Sequence, residues 1–153
     1  MLPATTERVA VNTDEEVNER IRRRTEQSVA LCAAAGPEAI ERRLAELDRE
    51  WDIERTLEAN AASLALIGLG LGSFVDRRFL ALPAVVAGFL LQHALQGWCP
   101  PVPILRRLGF RTQSEIDEER YALKALRGDF KDTEAVTASS TDNVRRLLSI
   151  VRR

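Results

Sequence analysis

Two stretches without a formal charge, residues 59–75 and 79–95, are separated only by the tripeptide Asp76-Arg77-Arg78. As helices, each would be about 26 Å long, and extending the second to Trp98 brings it close to the roughly 30 Å hydrocarbon core of a bilayer. Neither has a polar stripe at helical spacing, and a helix that is apolar all round lies in lipid or inside a large core. A chain of 153 residues is too short to enclose two such helices. The pattern predicts a transmembrane hairpin, and the alternative is a buried hairpin in a soluble helical bundle.

Composition excludes several other classes of protein. A net charge of −1 and a pI near 5.9 argue against a nucleic-acid partner, and two cysteines exclude a disulfide-built fold. One histidine and two cysteines do not complete a four-ligand zinc site without carboxylates. We see no catalytic Ser/His/Asp set or phosphate loop, and residues 1–24 have no apolar signal region. We therefore expect a non-enzymatic chain without a cofactor.

The expected fold class is all-α: a two-helix transmembrane hairpin with amphipathic cytoplasmic helices on both flanks. Capping-box patterns at Thr13-Asp14-Glu15-Glu16 and Thr112-Gln113-Ser114-Glu115 predict helix starts. Gly36-Pro37 divides the first flank, and Ile40, Leu44, Leu47 and Trp51 share one helical face. The predicted segments are a charged helix (1–36), an amphipathic helix leading into the membrane (37–58), the hairpin region (59–112, with spans at about 59–75 and 79–98), a cytoplasmic helix (113–131), a linker (132–141) and a basic amphipathic helix (142–153).

Small residues recur at spacings of three or four on both predicted spans, which allows close approach of helix backbones. They predict packing inside the hairpin, and the alternative is a face for homo-oligomers. The residues are Ala65, Gly68 and Gly72 on the first span and Ala84 and Gly88 on the second.

Polar residues gather at one depth of the folded hairpin, where Glu58 and Asn60 would lie opposite His93 and Gln96. Because residues 64–71 and 85–91 offer nothing polar, we expect a structural set at the membrane face rather than a transport path.

Basic residues near the span ends predict the topology. Eight arginines lie on the terminal side and two in the turn, which places both termini in the cytoplasm. The expected anchors at the membrane interface are Trp51, Trp98, Arg106 and Arg107.

The second span ends in Gly97-Trp98-Cys99-Pro100, and Leu108-Gly109 and Thr112 follow. With the hairpin, these residues resemble the YgaP-like inner-membrane transmembrane domain, over about residues 52–112. The family's Cys-Pro corresponds to Cys99 and Pro100, and its acidic-basic pair before the first span to Glu54 and Arg55. The long flanking helices, Pro101 and Pro103 depart from its shorter members.

The resemblance implies a multi-pass protein of the bacterial inner membrane. Family members occur alone or fused to rhodanese sulfurtransferase domains, none of which is present here. We expect a membrane anchor or assembly module with the lipid bilayer as its main partner. The alternative is a sulfur or redox carrier that uses Cys99, the one candidate reactive group, and partners a separate sulfurtransferase. A thiol at a helix C-terminus is disfavoured as a thiolate, and the Pro100-Pro101-x-Pro103 turn explains the motif without chemistry.

Overall fold

The computed structural model describes residues 4–131, which form helices and no strand. The predicted linker 132–141 and basic helix 142–153 lie outside these residues. The helices are α1 (Arg8–Val11), α2 (Glu15–Ala35), α3 (Pro37–Leu47), α4 (Ile53–Phe74), a short 3₁₀ helix (Arg77–Leu80), α5 (Ala81–Gln96), α6 (Val102–Leu108) and α7 (Gln113–Arg127).

The first arm of the hairpin is α4, which begins earlier than the predicted span at residue 59. The carboxylate of Asp52 accepts a hydrogen bond from the backbone N–H of Arg55 at 2.7 Å and caps the helix. The predicted segment 37–58 is therefore divided near Trp51: α3 ends at Leu47, and this cap starts a separate helix.

The turn of the hairpin is tight and charged, as predicted. Asp76 accepts a hydrogen bond from the backbone N–H of Arg78 at 2.8 Å and caps the 3₁₀ helix. Pro83 is the third residue of α5, where the missing N–H costs little. At the other end, α5 stops at Gly97, which adopts a left-handed conformation with φ +76°.

Two helical segments, Ile53–Phe74 and Arg77–Gln96, are long and apolar enough to cross a membrane. Only 17% of the first apolar window and 6% of the second are buried inside the protein. Leu66, Phe74 and Leu91 are 69%, 91% and 63% exposed. A soluble core helix would bury such residues, so the hairpin does not act as the core of this fold.

The described chain divides into two compact units. The first unit contains the residues up to Arg24 and the segment Glu50–Ile116, and therefore holds the whole hairpin. The second unit contains Thr25–Arg49 and the residues from Asp117 onward.

The second unit buries the predicted apolar face of α3, with Ile40, Leu44 and Leu47 all covered. Its fully buried carboxylate, Glu119, accepts hydrogen bonds from Ser28 at 2.6 Å and from the Arg43 guanidinium at 2.8 and 3.1 Å. Trp51, assigned to the same face, lies beyond the end of α3 and is exposed.

Candidate functional site

The open end of the hairpin, where α4 begins and α5 ends, holds a buried apolar cluster and several buried polar side chains. We call it the base. Its apolar centre joins α1, the start of α4 and the segment after α5, through the buried residues Val9, Ile53, Leu57, Cys99 and Val102. A backbone hydrogen bond from Ile53 to the carbonyl of Arg111 at 2.8 Å fixes the start of α4 to the loop before α7.

A chain of three charged or titratable side chains crosses the base. His93 Nε2 lies 2.8 Å from Glu54 Oε2, and Arg8 donates to Glu54 Oε1 at 2.9 Å. Arg8 also donates to the carbonyl of Ala94 at 3.1 Å. This carbonyl lies in the last turn of α5, where a nearby cation is favoured. The three side chains thus connect α1 to both arms of the hairpin.

The contacts of Arg8, Glu54 and His93 differ from the polar set that we expected at the same depth of the hairpin. His93 pairs with Glu54, one helical turn before Glu58, because α4 begins at Ile53 and brings Glu54 level with the end of α5. Glu58 and Asn60 are exposed, and the Asn60 amide donates to the carbonyl of Thr56 on its own helix. Gln96 takes part through its backbone carbonyl, which accepts from Asn12 at 2.7 Å.

Gly97 allows α1 to approach the end of α5 closely. A Cβ built on Gly97 would lie 2.3 Å from the carbonyl oxygen of Arg8. Together with its positive φ, this contact requires glycine at the position. The conformation and the contact together account for Gly97 in the Gly-x-Cys-Pro motif without any chemistry.

A second polar cluster centres on the fully buried side chain of Arg106 in α6. Its guanidinium donates to both carboxylate oxygens of Glu115, at 2.6 and 2.7 Å, and to Asn18 Oδ1 at 2.9 Å. Glu115 also accepts from the backbone N–H of Thr112 at 2.8 Å, and the Thr112 hydroxyl accepts from the N–H of Glu115 at 3.3 Å. The predicted capping box at Thr112 is therefore confirmed, and it holds the carboxylate that neutralises Arg106.

The electrostatics of Glu115 follow from these contacts. Burial alone raises the pKa of this carboxyl, but the hydrogen bonds from Arg106 and Thr112 and the positive charge of Arg106 outweigh that effect. The net pKa lies below the ordinary value, so Glu115 is a carboxylate at neutral pH.

The prediction that Arg106 anchors the protein at the membrane interface is wrong, because its side chain is buried. We expected Arg106 and Arg107 to reach the lipid headgroups together, but Arg106 points into the protein because α6 carries it on the same face as buried Val102. Arg107 is exposed, and so are Trp51 and Trp98. The Arg55 guanidinium lies 4.3 Å from the centre of the Trp51 ring.

Cys99 is a free cysteine buried in the apolar centre of the base. It lies between the end of α5 and the start of α6. The Pro-rich segment 100–103 therefore not only follows α5 but also forms the start of α6. Burial raises the pKa of its thiol, the backbone N–H of Val102 opposes this only in part, and the negative charge of Glu54 raises the pKa further. These conditions disfavour the thiolate that sulfur or redox chemistry needs.

The small residues of the two arms have different roles. Gly68 and Gly72 are buried, and a Cβ on them would come within 2.6 Å of Pro83 and 2.5 Å of Leu80. Both therefore pack inside the hairpin, and Ala65 on the same arm is half-buried. Ala84 and Gly88 are exposed, and nothing lies within 4 Å of a Cβ built on Gly88. The prediction of packing inside the hairpin is therefore wrong for Ala84 and Gly88, and the alternative, a homo-oligomer face of small residues, stays a prediction.

Sequence reasoning missed the partners that complete both polar clusters, namely Arg8, Asn18 and Glu115. The resemblance named Glu54 and Arg55 as neighbours in a sequence motif, and it gave no sign of the ion pair between Glu54 and Arg8. One signal was available for Arg106, since it follows Val102 by four residues and therefore shares a helix face with an apolar side chain. Among residues 4–131, no group of three His, Cys, Asp or Glu side chains could hold a metal ion.

No protein-family model, curated protein or solved structure matches this chain. The resemblance to the YgaP-like family therefore stays a prediction that rests on the motif residues alone.

Proposed function

We propose that this chain is a small integral protein of the bacterial inner membrane, with α4 and α5 crossing the bilayer as a hairpin. Both termini lie in the cytoplasm, and the protein serves as a membrane anchor or assembly module without catalytic activity. The observation that carries the proposal is the exposure of the hairpin's large apolar side chains, such as Leu66 and Leu91, on helices long enough to span.

Exposed apolar side chains on this scale need a non-aqueous partner. Lipid fits better than a protein surface, because exposure extends over both arms and the turn rather than along one stripe: Leu66, Phe74 and Leu91 lie on different parts of the hairpin. The two exposed tryptophans flank the open end, which suits a membrane-interface belt.

Membrane integration is tested by washing membranes of expressing cells with alkaline carbonate. The unmodified protein is expected in the pellet. The double variant Leu66→Lys/Leu91→Lys should be lost from it, because each lysine inside the hydrocarbon costs about 3 kcal/mol. The matched control Leu126→Lys, at an exposed leucine of α7, should stay in the pellet. Recovery of the unmodified chain in the wash would overturn the proposal.

Orientation is tested with one cysteine in the turn, Arg77→Cys, in a chain whose native Cys32 and Cys99 are replaced by serine. A membrane-impermeant maleimide should label this cysteine in spheroplasts. In the Cys99→Ser chain, which keeps Cys32, the label should appear only after lysis. The reverse pattern would place the termini outside.

Cys99 offers little support for the alternative of a sulfur or redox carrier. The thiol is buried and its pKa is raised. Cys99→Ser should therefore leave membrane integration and assembly unchanged. A persulfide or mixed disulfide on Cys99 in the purified protein would revive the carrier hypothesis.

A further inference from the structure

A groove of about 500 Å³ runs along one side of the hairpin. Its walls are Leu57, Ala61 and Leu64 of α4 and Val85 and Phe89 of α5. The lower part is closed by the segment after α5 and by α6. The groove is open on its outer side, so in the proposed orientation it faces lipid rather than water.

The lining of the groove is almost entirely apolar. At its lower end lie Cys99, Pro100 and Ile104. The amide of Asn60 belongs to the lining, but it already donates to the carbonyl of Thr56 at 2.8 Å. Among residues 4–131, no charged side chain contributes to these walls. The groove can therefore take a hydrocarbon group and has little to offer a polar ligand.

The groove reaches into the nearer leaflet of a bilayer. Its upper limit is at Leu64 and Val85. Leu64 lies five residues beyond Ala59, where the uncharged stretch of α4 begins, which is about 8 Å along the helix. Half of the hydrocarbon core is about 15 Å, so the groove extends from the interface at the base through about half of that leaflet.

A cationic side chain, Arg107, shares a face of α6 with Ile104, which lies at the lower end of the groove. Ile104, Arg107 and Leu108 share the exposed face of α6, and Ile104 lines the groove. The Arg107 guanidinium lies 3.2 Å from Asp14, but these side chains are 67% and 68% exposed. Such a pair is weak, so a phosphate can compete for the guanidinium.

We propose that the groove binds one acyl chain of a phospholipid from the leaflet nearest the termini, with the lipid phosphate at Arg107. The site rests on the proposed membrane insertion. The phosphate would replace the Asp14 carboxylate as the partner of the Arg107 guanidinium.

The test uses neighbouring alanines of α4. Ala61 lines the groove, whereas Ala62 is exposed outside it. The full chain is purified in detergent micelles, dioleoyl phosphatidylglycerol is added, and bound lipid is counted by native mass spectrometry. The unmodified protein and Ala62→Phe should retain one lipid. Ala61→Phe should bind at least about tenfold more weakly because its ring fills the groove, and Arg107→Gln about fivefold more weakly.

A second measurement does not depend on variants. Phosphatidylglycerol with a diazirine at mid-chain is photolysed with the unmodified protein, and the modified residues are mapped. Cross-links should concentrate on residues 57–64 and 85–90 rather than on Leu66 and Leu91 of the outer surface. Uniform cross-linking, or equal lipid retention by the Ala61→Phe and unmodified proteins, would overturn the site.

Failure of the groove and failure of membrane insertion are distinguishable. If Ala61→Phe stays in the carbonate-washed pellet and still retains its lipid, only the groove proposal fails. If the unmodified chain leaves the membrane in carbonate, the proposed function fails as well. Equal binding of phosphatidylglycerol by Arg107→Gln and the unmodified protein would overturn the role of Arg107.

Discussion

The hairpin leaves large apolar side chains uncovered, whereas its base covers an arginine and a histidine. Leu66 and Leu91 are more than 60% exposed, yet Arg106 is fully buried and His93 is nearly so. This reverses the usual arrangement of a soluble domain, in which leucines are inside and arginines outside. The contrast teaches that the hairpin needs apolar surroundings to cover its side chains, while ion pairs and hydrogen bonds within the chain hold the base together.

The backbone N–H and C=O groups of the two regions also find their hydrogen-bond partners in different ways. In the hairpin, helical hydrogen bonds satisfy the backbone, and close approach relies on glycine, as at Gly68 against Pro83. In the base, the chain turns several times, and side chains such as Asn12 and Arg8 donate to the carbonyls at the end of α5. A turn-rich base of this kind suits the water side of a membrane interface.

The strongest test of the base removes the buried guanidinium. Arg106→Met leaves the partly buried Glu115 carboxylate without its cationic partner, so the free energy of unfolding should fall by about 3 kcal/mol. The neighbouring change Arg107→Met should alter it by less than about 1 kcal/mol, because that ion pair is exposed. Both are measured by denaturant titration in detergent micelles. Similar losses would contradict the assignment of Arg106 to the interior and favour two surface anchors.

The next effect concerns the contact between α1 and the end of α5. Gly97→Ala should destabilise the protein by about 2 kcal/mol or more, since it adds a Cβ against the Arg8 carbonyl and strains a left-handed residue. Gly36→Ala is the control, because Gly36 has a positive φ of 91° but open space around it. The difference in melting temperature between the two variants isolates the contact, and equal losses would mean that backbone strain alone matters.

Glycine substitutions inside the hairpin should lower the free energy of unfolding less than Gly97→Ala does. Gly68→Ala brings a methyl group within 2.6 Å of the rigid Pro83 ring and should cost about 1–2 kcal/mol. Gly70→Ala, two residues away with nothing within 4 Å, should be neutral or slightly stabilising. Unfolding of both variants in the same detergent checks this. A loss at Gly70 as large as that at Gly68 would point to a contact outside the hairpin.

Local signals in the sequence predicted the hairpin, the position of Pro83 and the Thr112 capping box, because each depends on residues close together in the chain. The pairing in the base could not be predicted in this way. Arg8 and Glu54 are 46 residues apart, and Asn18 and Arg106 are 88 apart. Helical periodicity gives the face of a charged residue but not its distant partner. The assumption that arginines beside a span reach the lipid headgroups therefore failed for Arg106, which is buried, and stays a prediction for the exposed Arg107.

The smallest effect is the pH dependence that Glu115 gives to the base. Its pKa is lowered in the folded protein, so its charge contributes stability that is complete above the unfolded pKa of 4.5 and is lost as pH falls through the lower folded value. Below pH 4.5, the unmodified protein should lose up to about 1.4 kcal/mol per pH unit through this one group. Glu115→Gln keeps an acceptor for the cap but cannot titrate, so its unfolding free energy should fall less steeply in this range. Other carboxylates titrate in both proteins, and the difference between the two curves isolates Glu115. Parallel curves would mean that the Arg106–Glu115 pair carries no net charge coupling, and that geometry rather than electrostatics holds the base together.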